Sequence, residues 1–275
     1  MTPKIVALKD RALVSVAGGE AQKFLQDLVT ADIDALAAGA ATYASLLTPQ
    51  GKVLFDFFII SERQGYLIDC VFSQREALIK RLTFYKLRAK IAIAAIDDRQ
   101  AHAVLEGSVP RGIDDPRTPA MGQRFYGEQG SGEDAIFPYH QRRIALGLAE
   151  GGQDFDSGEI FPHEANFDQI GAISFRKGCF VGQEVVSRIE HRGTARSRIL
   201  PCRVEGALPA KGSEISAGGK AIGRACSGAG DRLLALLRLD RLEEVRGSGL
   251  PVTADGSTLH PERPPWAFFT LPAAG

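Results

Sequence analysis

The stretch that decides the fold is Lys177-Gly178-Cys179-Phe180-Val181-Gly182-Gln183-Glu184, which places one cysteine between two glycines. A glycine on each side of a cysteine indicates a backbone that turns tightly or is approached closely. Arg176 and Arg188 lie nearby, and cationic surroundings favour a thiolate over a thiol. Apolar residues at helical spacing predict a helix over residues 182–191, which follows the cysteine directly. We therefore expect Cys179 to be a reactive thiol.

The composition is that of a soluble globular protein. The chain has 275 residues, of which 44% are apolar and 24% charged, enough for a substantial core and two or more subdomains. Its formal net charge is zero, which argues against a protein that coats nucleic acid or an anionic membrane. The most apolar run, residues 53–60, is too short to span a bilayer. The neutral charge and the short apolar run predict no direct nucleic-acid partner and no membrane partner. Asp10 and Arg11 interrupt any secretory signal pattern, so we expect a cytoplasmic protein.

The chain has four cysteines and no CxxC pair. This pattern argues against a zinc ribbon, a thioredoxin-type site or a self-contained iron–sulfur site, so we predict no metal site. Cys70, Cys202 and Cys226 lie in apolar segments and are predicted to be small buried residues. Cys179 has two interpretations, a functional thiol or a small residue that fills a tight turn. If it contacts a cluster, the other ligands come from a partner protein, a small thiol or a dimer mate, since clusters usually take about four ligands.

Asp56 is the second candidate, because it is the one carboxylate inside the apolar run 53–60. A charge within an apolar strand must face solvent, a partner or a ligand. The period-2 alternation of a strand places Asp56 on one face with Leu54 and Phe58.

Helical and strand patterns alternate through the first two thirds of the chain. Ser73 is predicted to begin a helix, with Glu76 three residues later completing a capping box. Residues 107–134 are rich in Gly, Pro and Asp and are predicted to be irregular. From Arg198 onward, short strands separated by Gly and Pro, the last at residues 266–271, predict a small β-barrel or sandwich.

The octet resembles the signature of the YgfZ family of folate-binding proteins, which are related to the glycine-cleavage T-protein (an aminomethyltransferase) and act in the maturation of iron–sulfur enzymes. Further blocks that are similar to the family are residues 24–32, 47–53, 85–90, 161–168 and 191–196. The resemblance implies an α+β fold with two interwoven folate-binding lobes around a central opening, over residues 1–194. A small C-terminal β-barrel would follow over residues 195–275.

The resemblance implies a folate-binding accessory protein in the assembly, maintenance or repair of iron–sulfur enzymes, with Cys179 as the functional thiol. Tetrahydrofolate or a one-carbon derivative would be the cofactor, and contact with an iron–sulfur cluster would be transient. Partners would be assembly proteins or client enzymes with four-iron clusters, including enzymes that modify tRNA.

Asp56 occupies a segment that is similar to one carrying an acidic pair in the T-protein, where a carboxylate serves the folate chemistry. Here Phe55 replaces one member of that pair. Asp56 is thus assigned with Cys179 to the reaction and also to folate binding. The alternative function is a tetrahydrofolate-dependent aminomethyl or one-carbon transferase, which the loss of the second carboxylate makes doubtful.

The remaining candidate cofactor-binding residues are all polar and lie in or near the matching blocks: Lys177, Gln183, Glu164, Arg188 and Glu150. Each has a structural alternative. Arg188 lies four residues after Glu184, so the two are spaced for an ordinary helix-surface ion pair. Glu150 and Glu164 are either pterin-binding carboxylates or surface and capping residues.

Overall fold

The computed structural model describes residues 2–128, 135–193 and 195–271 of the chain. The described residues form five α-helices, α1 (Ala21–Leu28), α2 (Arg75–Lys86), α3 (Phe137–Ala145), α4 (Gln183–Arg192) and α5 (Leu239–Ser248). The strands of the first two thirds are β1 (Lys4–Ala7), β2 (Arg11–Ala17), β3 (Ala41–Leu47), β4 (Val53–Glu62), β5 (Gly65–Val71), β6 (Ala92–Ile96), β7 (Arg99–Glu106), β8 (Ile113–Asp114) and β9 (Gln123–Glu128). The remaining strands are β10 (Ser197–Glu205), β11 (Glu214–Ala217), β12 (Lys220–Ala229), β13 (Arg232–Arg238), β14 (Val252–Ala254) and β15 (Ser257–Pro261).

Two antiparallel sheets form the first region. One has the strand order β3-β4-β5-β2-β6 and the other β1-β7-β9-β8. The first sheet has an apolar face toward α1 and α2, which we call the helix-side core; Leu25, Phe57 and Leu82 belong to it. Its other face contributes to the inter-sheet core, which includes Phe58 from β4 and Ala103 from β7. Strands β4 and β5 are buried on both faces, which explains their nearly continuous apolar sequences.

The C-terminal region is a closed antiparallel barrel of six strands in the order β10-β13-β12-β11-β14-β15. Its strands enclose a third core that contains Leu200, Ile215 and Leu237. Closure pairs every strand on both sides and so removes exposed sheet edges. The predicted fold class, an α+β region followed by a small C-terminal barrel, is therefore confirmed.

The predicted boundary between residues 194 and 195 includes Thr194, which lies outside the described residues, and β10 begins at Ser197. Among the described residues, no helix has the length and apolar character needed to cross a membrane.

A β-bulge in β4 changes the predicted face of Leu54. In the pairing with β3, Leu46 lies opposite Phe55 while Leu47 lies opposite Val53, so Leu54 is the extra residue. Leu54 packs against the helix-side core, whereas Phe58 lies in the inter-sheet core. The prediction that Leu54 shares a face with Phe58 and Asp56 is wrong, because the bulge shifts the alternation by one residue.

Three other local predictions are wrong. A 3-10 turn over Phe72–Gln74 displaces the start of α2 to Arg75, so the predicted capping box of Ser73 and Glu76 does not form. The segment predicted as irregular contains β8 and β9, whose pairing with β7 overrides their turn-rich composition; its residues 129–134 lie outside the described residues. The predicted strand at 266–271 is a loop, in which Trp266 donates a hydrogen bond to the Leu146 carbonyl.

A buried ion pair joins the barrel to the first region. Asp154 accepts a hydrogen bond of 2.7 Å from Arg143 of α3. The same carboxylate accepts hydrogen bonds from the backbone N–H and the hydroxyl of Ser227 on β12, at 3.1 and 2.5 Å. Arg143 also donates to the Ser227 hydroxyl at 2.9 Å. Both charged side chains are almost fully buried, so each neutralises the other where water cannot.

We expect Asp154→Asn to lower the free energy of unfolding by about 3 kcal/mol or more, because it leaves the Arg143 charge buried without its closest counter-ion. Urea unfolding followed by circular dichroism measures this loss. Asp27→Asn is the matched control, since it breaks an exposed pair with Lys23 and should change stability by less than about 0.5 kcal/mol. Equal losses for the two variants would contradict a structural role for the Asp154 charge.

Candidate functional site: the Cys179 loop and its surroundings

Cys179 is exposed, and it is the one exposed cysteine among the four. Cys70, Cys202 and Cys226 are buried, as predicted, and burial raises the pKa of Cys70 and of Cys226 to about 12. Helix α4 begins at Gln183 with Gly182 as its N-cap residue, so Cys179 lies three residues before the cap. The thiol is therefore presented on the loop ahead of the helix, where a partner can reach it.

Lys177 anchors this loop to the chain segment that follows α1. Its ammonium group donates hydrogen bonds of 2.8 and 2.7 Å to the carbonyls of Val29 and Ala31, just after α1, and lies 5.5 Å from the centre of the Phe180 ring. The residue is only 8% exposed. Burial lowers the pKa of Lys177 to about 8, although the nearby Asp32 opposes this shift. Lys177 thus holds the cysteine loop against the segment after α1, and burial disfavours the charged form of its amino group.

Two glycines from separate sequence blocks explain how the loop is fixed on its other side. Gly182 has a φ of +81°, and a Cβ atom there would lie 2.6 Å from the Thr48 carbonyl oxygen and 3.0 Å from the Gly51 Cα. Gly51 also has a φ of +81°, and its Cβ would lie 2.9 Å from the Val185 Cβ. The β3–β4 loop and the start of α4 therefore pack backbone to backbone, which requires glycine on both sides.

The other candidates of the octet and α4 lie at or near the surface. Gln183 is half-buried and its side chain makes no hydrogen bond to the described residues. Glu184 and Arg188 are exposed, and the ion pair that their spacing favours does not form within the described part of the chain. Arg188 instead lines a cavity of about 310 Å³ that also contains Glu164. The structure thus brings two of the predicted cofactor-binding residues together.

Asp56 lies in the interior and is 1% exposed. The Tyr43 hydroxyl donates a hydrogen bond to Oδ2, and the Gly151 N–H lies 3.1 Å from both carboxylate oxygens. Burial raises the pKa of Asp56, while these two hydrogen bonds oppose the increase. A Cβ at Gly151 would lie 2.2 Å from Oδ1, so only glycine fits there. The carboxyl group is therefore enclosed by protein, and its contact with a folate stays a prediction.

Glu150 is also buried, next to the Asp56 partner Gly151. It accepts a hydrogen bond of 2.7 Å from Arg117 and another from the Tyr139 hydroxyl. Burial alone would raise the pKa of Glu150, but Arg143 and Arg117 outweigh it and hold that pKa well below its ordinary value. Glu150 is thus an ionised member of a closed network rather than an open carboxylate.

The network continues through charges that the sequence analysis did not single out. Asp69 on β5 accepts hydrogen bonds from Arg11, Arg124 and Tyr126, and Asp115 pairs with Arg117 through two of its oxygens. The signal that could have found Asp69 is the one that marked Asp56, a single carboxylate inside an apolar strand. Nothing in the local sequence shows that the matching arginines come from distant strands.

The described residues contain one group with metal-ligating atoms close together, His163, Asp168 and Glu190. Arg198 occupies both oxygens of Asp168, with hydrogen bonds of 2.9 and 2.8 Å. His163 pairs with Glu190 at 3.2 Å, and burial lowers the pKa of this histidine. The guanidinium already supplies the positive charge of this group, so the arrangement suits an ion-pair network better than a metal ion.

Two sheets followed by a closed six-stranded barrel give this chain a fold similar to that of a solved aminomethyltransferase. The glycine cleavage system aminomethyltransferase T from Bartonella henselae superposes with a TM-score of 0.76 at 15% identity, covering 96% of this chain and 86% of that protein. Residues 196–269 match the family described as CAF17, C-terminal beta-barrel domain.

Sequence relatives narrow this class to one family. The chain is 34% identical to the mitochondrial iron-sulfur cluster assembly factor IBA57 homolog of Pyricularia oryzae, over 92% of this chain and 76% of the relative. It is 32% identical to the mitochondrial iron-sulfur cluster assembly factor IBA57 of Homo sapiens, over 86% of this chain and 78% of the relative. The chain belongs to the IBA57 family.

These relatives correct two expectations. The sequence blocks suggested the YgfZ family, which is a related family. The relatives carry the IBA57 name instead. The expected cytoplasmic location is wrong, because these relatives are named as mitochondrial proteins. That expectation depended on the interruption of a secretory signal pattern by Asp10 and Arg11, and this interruption does not distinguish the cytoplasm from mitochondria.

We expect Gly182→Ala to destabilise the protein by about 1–3 kcal/mol, because the new methyl group meets backbone atoms at a positive φ. Gly178→Ala is the matched control in the same octet, since a Cβ at Gly178 meets no atom within 4 Å. Thermal unfolding of both variants tests this contrast, and a Gly182→Ala protein as stable as the control would contradict the close contact between the two loops.

Lys177 should give the stability a specific pH dependence. Its folded-state pKa of about 8 lies below the ordinary value of 10.5, so between these values the unfolded chain binds the proton that the native protein has lost. The contribution of Lys177 to the free energy of unfolding therefore rises as the pH increases through this window. Urea unfolding at pH 7.5, 9 and 10.5 should show wild type gaining stability relative to Lys177→Met; parallel pH profiles would contradict the assignment.

Proposed function

We propose that this protein is an accessory factor in the assembly, maintenance or repair of iron–sulfur proteins, with Cys179 as its functional thiol. The observation that carries the proposal is the exposed position of Cys179 on a loop held by Lys177 on one side and by the Gly51–Gly182 contact on the other. Membership in the IBA57 family supports the class of process, since the named relatives are iron-sulfur cluster assembly factors.

One thiol cannot hold a cluster by itself, because clusters usually take about four ligands. Cys179 therefore acts on a cluster together with ligands from a second molecule, such as an assembly protein or a client enzyme. A loop whose two ends are held by contacts suits this task, because such anchoring limits the positions of the sulfur and lowers the entropy lost on docking. The cluster is the cargo of this exchange.

We further propose that the protein binds tetrahydrofolate or a one-carbon derivative. The likeness of the fold to that of an aminomethyltransferase and the family resemblance of the sequence blocks support this proposal. Asp56 and Glu150 fit the cofactor poorly, since both are buried and already accept hydrogen bonds from protein groups. Glu164 and Arg188 fit it better, because they line an open cavity.

A tetrahydrofolate-dependent aminomethyl or one-carbon transferase is the second candidate, and the fold favours it. The residues support it less well. Asp56 is a buried carboxyl group with a raised pKa, but Phe55 replaces the second carboxylate and packs in the helix-side core, away from Asp56. Release of methylenetetrahydrofolate from an aminomethyl donor in the steady state would establish this candidate.

We expect Cys179→Ser to abolish function while leaving the fold intact, because an exposed side chain contributes little to stability. The test uses cells that lack the protein, rescued by wild type or variant at equal abundance, and measures tRNA methylthiolation by a four-iron enzyme. Gly178→Ala is the control at the adjacent exposed residue and should rescue fully.

Alkylation of the native protein with a maleimide checks the thiol itself. Wild type should take up one label per chain rapidly and Cys179→Ser none, since the other three cysteines are buried. Full rescue of methylthiolation by Cys179→Ser would falsify the assignment of the thiol. No rescue by wild type would exclude the iron–sulfur role and leave the transferase.

A further inference from the structure

A cavity of about 310 Å³ lies beside α4, between the segment at residues 161–164 and the first residues of the barrel. This volume is at the lower end of the range of small-molecule sites. Its wall has an apolar part, formed by Phe161, Val185 and Ile189, and a polar part formed by three charged side chains. Such a division of one cavity into an apolar body and a few polar groups is typical of sites for small organic ligands.

Glu164 supplies the hydrogen-bond acceptor that lines this cavity. Its Oε2 accepts a hydrogen bond of 2.8 Å from the Phe161 N–H, and its Oε1 has no hydrogen-bond donor among the described residues. Burial raises the pKa of Glu164, although the hydrogen bond from the Phe161 N–H and the charge of Lys52 oppose this increase. Because Glu164 lines the cavity, this carboxyl oxygen is available to accept a hydrogen bond from an N–H group of a ligand.

Arg188 and Arg196 supply the positive charge. Both are exposed, and neither pairs with an acidic side chain in the part of the chain that the structure describes. Glu184 lies one helical turn before Arg188 and does not pair with it, so the guanidinium stays available at the cavity. Arginine binds carboxylate and phosphate groups through two parallel hydrogen bonds, so two unpaired guanidinium groups at one cavity indicate an anionic ligand.

We propose that this cavity binds a small organic anion whose N–H edge faces Glu164, whose apolar body packs on Phe161 and Ile189, and whose carboxylate end faces Arg188 and Arg196. A folate has this order of groups: an aminopyrimidine edge, an aromatic ring and a glutamate tail. Naming a folate rests on the cofactor proposed above, whereas the polarity of the site rests on the cavity alone. The ligand thus lies beside α4, apart from the closed interior around Asp56.

The test is isothermal titration of the full chain with two probes, 5-formyltetrahydrofolate and 4-aminobenzoylglutamate, which lacks the aminopyrimidine edge. Arg188→Gln should weaken both probes about tenfold or more, because both carry the carboxylates. Glu164→Gln should weaken 5-formyltetrahydrofolate by a similar factor and leave 4-aminobenzoylglutamate unchanged. Arg192→Gln is the matched control, an exposed arginine on the same helix outside the cavity, and should change neither affinity more than about twofold.

Glu164→Gln keeps an oxygen that accepts from the Phe161 N–H, so an unchanged unfolding midpoint separates binding from folding. If 5-formyltetrahydrofolate binds and neither variant weakens it, the cavity assignment is overturned while the proposed cofactor stands. If the two probes bind wild type equally, the role of Glu164 is overturned. If neither probe binds, the proposed cofactor and the cavity assignment both fail, whereas the iron–sulfur role is judged separately by the rescue of tRNA methylthiolation.

Discussion

Neutralisation of buried charge is the constraint on which the rest of the structure depends. Four arginines lie in the interior around Phe58, Tyr139 and Glu150: Arg11, Arg117, Arg124 and Arg143. Three of their guanidinium groups lie within 5.6 Å of the Phe58 ring centre, with Arg124 the closest at 3.8 Å. Charges at this depth are tolerated only when each has a partner, so both sheets, α3 and the barrel must be in register for any of them to be stable.

Asp56 is the acidic residue of this interior that accepts no hydrogen bond from an arginine. Its partners are the neutral Tyr43 hydroxyl and the Gly151 N–H, and burial raises its pKa. Glu150, one residue before Gly151, is held in its charged form by arginines instead. Two carboxyl groups of adjacent segments thus have opposite pKa shifts, which follows from whether a guanidinium group reaches them.

The same sheet that encloses this network also positions the thiol. The β3–β4 loop connects the two strands that carry Tyr43 and Asp56. Its Gly51 packs on Gly182 at the start of α4. Lys177 fixes the other end of the Cys179 loop to the chain after α1. The Cys179 loop is therefore held in place by its contacts with the β3–β4 loop and with the chain after α1. On its exposed side, α4 contributes Arg188 to the lining of a cavity.

The sequence by itself determined the features that depend on local pattern. The octet pointed to the fold, the apolar spacing after it predicted α4, the Gly- and Pro-separated strands predicted the barrel, and the apolar surroundings of three cysteines predicted their burial. The strand around Asp56 was likewise predicted, because alternation and β-branched or aromatic content are read directly from the chain.

Only the tertiary structure decided which charges meet. Asp69 and Arg124 are 55 residues apart, and Arg143 and Ser227 are 84 apart, so no local pattern contains either contact. Strand pairing also decided that Leu54 is a bulge residue and that the turn-rich segment contains β9. The packing of the chain decided that Glu164 and Arg188 line one cavity, whereas Asp56 and Glu150 are enclosed. The physical reason is that strand pairing and burial depend on distant partners, whereas the sequence pattern records only what each residue prefers beside its neighbours.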